Sequence, residues 1–98
     1  MKYRPFELKF EEYLSISPDR QTKLQIEHSK INESWYLSKL DELGADWIMV
    51  GGNSGKIYRH GRMNDYPTIE ELERVAQETR EVPFTFSRPP VSEEAVLV

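Results

Sequence analysis

DWIMVGGNSGKIYRHG, residues 46–61, sets two short runs of β-branched and aromatic residues on either side of a centre rich in glycine and asparagine. Runs of that kind split by turn residues read as a β-hairpin. The centre also holds Ser54-Gly55-Lys56 behind two glycines, which raises a rival reading as a phosphate-binding loop. Such a loop, G-x-x-x-x-G-K followed by Ser or Thr, needs a glycine where this chain has Val50 and a metal-binding hydroxyl where it has Ile57. It must also open a helix whose first N–H groups meet the anion, and KIYRH has the composition of a strand. The turn reading explains every residue: Gly51, Gly52, Asn53 and Gly55 tolerate positive φ, and Ser54 and Lys56 are polar tip residues.

Upstream, SPDRQTKLQIEHSKINESWYLSKLDELG (17–44) reads as helix. Ser17 is placed to cap it, Pro18 sits where its missing N–H costs nothing, and Asp19 suits the positive helix start. Leu24, Ile31, Trp35, Leu40 and Leu43 supply an apolar stripe, and Gly44 is the stop. Asn32 fits either the interior of one long helix or the cap of a second. The opening segment also has two readings. FELKF (6–10) alternates like a strand, yet Phe6, Phe10 and Tyr13 or Leu14 recur at helical spacing, and Pro5 suits a first turn. We favour a short helix ending before Ser17.

Downstream, Thr68 and Glu71 form a capping box for a helix with Ile69, Leu72, Val75 and Ala76 on one face. Pro83 forbids its continuation, and VPFTFSR predicts a third strand with Phe84 and Phe86 on one side. The final PPVSEEAVLV predicts an extended or disordered tail over 91–98, whose apolar end could add a strand or clasp a neighbour. The expected fold is therefore α+β: one domain over 1–90, a helical region followed by β-β-α-β. A mainly antiparallel three-stranded sheet would form one layer of a small two-layer sandwich. Both sheet edges stay open, a liability that pairing across a dimer would remove.

The 98 residues are 38% hydrophobic, enough for one core, and 31% charged with a net charge of −4. An acidic balance opposes nucleic-acid binding. The densest cations, Lys56, Arg59 and Arg62, read as a solvated hairpin edge. There is no cysteine, which excludes disulfides, thiol nucleophiles and thiolate metal sites. No apolar run approaches the roughly 18 residues of a membrane span, and the opening residues lack a secretion signal. A cytoplasmic location is the expectation.

Neither His28 nor His60 has a second ligand at i+4, so no metal site is expected, and no cofactor motif is present. His28 is assigned to a solvated helix face. His60 follows Tyr58 by two residues, which predicts that both share one sheet face. With Trp47 and Tyr66 they form the candidate ligand-binding set Trp47, Tyr58, His60 and Tyr66. The prior claim on Trp35 and Trp47 is core packing. No catalytic residues are nominated. Ser15, Ser17 and Ser54 lack a nucleophile elbow, and the pairs Glu11-Glu12, Glu70-Glu71 and Glu93-Glu94 read as solvated faces, cap or tail.

From about residue 33 to 90, the order WYLSKLDELGADWIMV, turn, GKIYRHG, helix, VPFTFSRPP resembles a family of small prokaryotic proteins catalogued as a domain of unknown function. The family pattern is a helix, a G-x-W-(V/I)-x-V strand, a turn, a strand closing on His-Gly, a helix and a proline-led strand. Gly44, Trp47, Ile48, Val50, His60, Gly61 and Pro83 match it; Ala45 and Asp46 put two residues between Gly44 and Trp47, and the turn is longer than usual. The resemblance implies a small α+β fold and brings no catalytic residues. Some relatives occur near retropepsin-like protease domains, but this chain has no Asp-(Ser/Thr)-Gly. The functional expectation is a non-enzymatic protein-interaction or regulatory module, pairing with itself as a homodimer or with another protein through the sheet edge. The alternative is a small-ligand binder or minor enzyme using the Trp/Tyr/His set.

Overall fold

A computed structural model describes residues 2–88; the expected tail over 91–98 lies outside the described residues. Helices α1 (Phe10–Leu14), α2 (Pro18–Ile31) and α3 (Glu33–Leu43) lead into strands β1 (Trp47–Gly51) and β2 (Ile57–Gly61). A 3-10 turn (Met63–Asp65), helix α4 (Ile69–Thr79) and strand β3 (Pro83–Ser87) follow. The strands form one antiparallel sheet in the order β2-β1-β3. This is the α+β fold, with its antiparallel three-stranded sheet, that the sequence predicts.

β1 is central, and its continuous apolar run is buried on both faces: Trp47, Ile48, Met49 and Val50 have no exposure. Ile48 and Val50 pack with Trp35, Tyr36 and Leu40 of α3. Trp47 and Met49 point the other way, as alternation along a strand requires. On that side Arg59, the β2 partner of Met49, pairs with Glu71 in the first turn of α4. Thr85, the β3 partner of Met49, accepts from the Tyr66 hydroxyl at 3.2 Å. α4 therefore covers the face opposite α2 and α3.

The hydrogen-bond phase of β3 follows from one bond. Gly52 N–H donates to Val82 O at 2.8 Å, just beyond the Gly51–Pro83 pair. In an antiparallel ladder a bond there marks Gly51–Pro83 as a non-hydrogen-bonded pair. Phe84 and Phe86 consequently aim their main-chain polar groups at β1, while Pro83, Thr85 and Ser87 aim theirs outward. β2 is irregular by contrast: its register shifts between Met49 and Val50, leaving Tyr58 as the extra residue of a bulge.

The helical region breaks at Asn32, but not because Asn32 caps α3. Its side chain makes no cap bond. It is fully buried and clamps the opening segment instead, its Oδ1 accepting from Arg4 N–H at 2.7 Å and its Nδ2 donating to Arg4 O at 3.0 Å. Helix before Ser17 is confined to α1; residues 2–9 run without regular structure across the end of the sheet. There Phe6 is buried, and its N–H donates to Gly52 O at 2.8 Å. The alternation of FELKF thus reports burial of Phe6 without strand pairing. The expected apolar stripe of α2 and α3 holds at Trp35 and Leu40 and fails at Ile31 and Leu43, which are exposed. The capping box forms at Thr68 and Glu71.

Candidate functional site

The glycine-rich turn does hold an anion, and the anion is the chain's own Glu81. Ser54 N–H donates to Glu81 Oε1 at 2.6 Å; the Ser54 and Tyr58 hydroxyls donate to Oε2 at 3.0 and 2.6 Å. Burial would raise the carboxyl's pKa, but these hydrogen bonds outweigh it and hold the group below its usual value. Tyr58 is pushed up, by burial and by the same bond. The glycines divide the work differently from the expectation of positive φ throughout. Only Gly55 in the turn has positive φ, at 73°. At Gly51 a Cβ would lie 2.6 Å from a Glu81 oxygen and 2.7 Å from the Tyr58 ring, so either side chain would have to shift. A compact turn carrying one free N–H, two hydroxyls and no helix satisfies a carboxylate of its own chain and leaves Lys56 over the Tyr58 ring, 5.5 Å away.

The four candidate residues do not converge. Trp47 is fully buried, its indole N–H donating to Arg62 O at 2.8 Å, and Tyr66 meets it edge-on at 5.7 Å. Tyr58 lies further along, at Glu81. His60 pairs with Ile48 and so stands on the α3 side of the sheet, exposed. The bulge is the reason: one extra residue puts Tyr58 and His60 on opposite faces, against the expectation from strand spacing. Of the expected cations, Arg59 pairs with Asp65 and Glu71 and Arg62 with Asp46, which leaves little free charge for a phosphate backbone. Among the described residues no group of three His, Asp or Glu is arranged to hold a metal ion, and no helix is long and apolar enough to cross a membrane.

His28 corrects the sequence reading most sharply. It is buried, only 5% exposed, and stacks on Phe84 with ring centres 4.3 Å apart. The Tyr3 hydroxyl gives its proton to Gly52 O at 2.7 Å, so it accepts from His28 Nε2–H at 3.0 Å. That leaves His28 Nδ1 to accept from Asn32 Nδ2 at 3.4 Å. The ring is thus satisfied as neutral imidazole, and burial pushes its pKa down to about 4. No helical periodicity flags it, because its cover comes from Tyr3, Phe6 and Phe84, all distant in sequence. Beside it, between the opening segment and α2, runs an open cleft of about 430 Å³ bordered by Arg4, Glu7, Arg20 and Glu27. Tyr36 is the remaining buried polar group of note: its hydroxyl lies beside that of Tyr3 and makes no hydrogen bond of normal geometry among the described residues.

Among known proteins, no family, no curated protein and no solved structure matches the chain.

Proposed function

We propose that this chain is a non-enzymatic interaction module that receives a β-strand along an open edge of its sheet. The carrying observation is the outer edge of β3, a regular five-residue strand flanked by no further strand among the described residues. Thr85 and Ser87 are half-exposed and turn their main-chain polar groups away from β1. Main-chain pairing supplies affinity in strand addition, and alternate side chains supply selectivity. The polar groups gathered around Glu81 and His28 are committed to each other: Tyr58 and Ser54 to Glu81, Tyr3 and Asn32 to His28. A cytoplasmic setting and kinship with the small prokaryotic family go with this reading. Size-exclusion chromatography with light scattering, beside a pull-down with tagged protein, tests it. Concentration-dependent association or a saturable partner supports the reading; a strict monomer at millimolar concentration that retains no partner sinks it.

The cleft between the opening segment and α2 favours a second reading, a small-ligand binder. Its 430 Å³ falls in the range of ligand pockets, about 300–1,000 Å³, and its border carries two cations and two acids. A thermal-shift screen against metabolites, repeated with Arg20→Ala, checks it: stabilisation lost in the variant supports binding there, and no shift with any compound removes it.

A further inference from the structure

β3 carries a symmetry that names its partner. The segment from Val82 to Ser87 has no charged side chain, although natural edge strands are commonly blunted by charge, bulges or proline. β2 has two of those devices, the Tyr58 bulge and Arg59; β3 has only Pro83, at its first position. We infer that β3 pairs antiparallel with β3 of a second copy of this chain, about a two-fold axis at Thr85. This rests on the edge-docking reading above and specifies its occupant.

The donor count supports that register. Thr85 and Ser87 offer N–H and C=O outward, and Pro83 offers only C=O. With Thr85 opposite its symmetry mate, each Thr85 N–H donates to the other Thr85 O. Each Ser87 N–H donates to the other Pro83 O. Four bonds form, and the sole donor missing on each side is the proline's. This register alone overlaps all five residues of both strands. It also sets Phe84 opposite the mate's Phe86 at the closer, non-hydrogen-bonded positions, where aromatic cross-strand pairs stabilise a sheet. No like charges meet. The product is a continuous six-stranded sheet with β2 at each outer edge, where bulge and charge stop further addition. A two-fold seam between identical strands closes, so the assembly ends at two copies.

The absence of native cysteine makes the seam directly testable. Two hydrogen-bonded partners sit about 5.5 Å apart at Cα, within the reach of a disulfide. Thr85→Cys should therefore yield a covalent dimer on mild oxidation, several-fold faster than His60→Cys on the β2 edge, with both variants melting as the wild type does. Independently, Ser87→Pro removes one outward donor from each strand and none of those aimed at β1, and should raise the dimer dissociation constant at least tenfold. If the wild type is dimeric while Thr85→Cys links no faster than His60→Cys and Ser87→Pro changes nothing, the seam is wrong and edge docking elsewhere survives. A monomeric wild type rules out self-pairing altogether, and the pull-down then decides the broader reading.

Discussion

Glu81 occupies the turn where an external phosphate had been the rival expectation, and three donors converge on its carboxylate. Truncation by Glu81→Ala leaves those donors to water and loosens the turn. Because the group is only half-buried, the expected loss is about 1–2 kcal/mol, read as a lower denaturant midpoint at unchanged slope. Tyr36 predicts the opposite sign. Its hydroxyl is buried with no hydrogen bond of normal geometry among the described residues, while its ring stacks on Phe86 at 4.7 Å. Tyr36→Phe keeps the stack and removes an unmet desolvation cost, so stability should hold or rise by up to about 1 kcal/mol. His28 governs the acid limb. Its folded pKa of about 4 lies below the ordinary 6.5, so the unfolded chain binds the extra proton between those values. Its contribution is complete above pH 6.5, declines as pH falls towards 4 and is gone below. The melting temperature of the wild type should drop through that window. His28→Gln, less stable at pH 7, should lose most of the slope. Glu81, with its carboxyl held low, adds a second loss further down, below about pH 4.5.

At the scale of elements, α4 ends on Arg80 in the left-handed conformation, φ 63°. A side chain there pays a steric cost that glycine avoids. The Arg80 pair with Glu11 is exposed on both sides and contributes little. Arg80→Gly should therefore stabilise the protein by about 0.5–1 kcal/mol in thermal or chemical denaturation. Legibility also divides by element. The hairpin, the Thr68–Glu71 box and the strand that Pro83 opens were readable because each is encoded within a few residues. At Asn32 the sequence left a break and one long helix equally open, because the partner that occupies the side chain is Arg4, 28 residues away. The bulge was hidden for a different reason. Nothing in IYRHG announces an extra residue, and a single insertion reverses which face each later side chain takes, so the Tyr58–His60 pairing dissolved. His28 was missed because helical spacing cannot see cover supplied by other segments.

Seen whole, the molecule has a doubly covered central strand flanked by two unlike edges. One is bulged and charged, the other regular and uncharged. In the proposed pairing that asymmetry would direct association to a single side, and a closed pair is expected instead of a filament. The expected check is a mass that rises from one chain to two with concentration and then stays at a plateau. The opening segment has a consequence at the same scale. Tyr3 and Phe6 bond to Gly52, and Phe6 meets Phe84 at 4.9 Å. During synthesis Tyr3 and Phe6 are thus made well before Gly52 and Phe84, the partners that complete their seats. Tyr3 and Phe6 can meet Trp35, His28 and Tyr13 early, but the Phe6 seat stays open on one side until Phe84 is made.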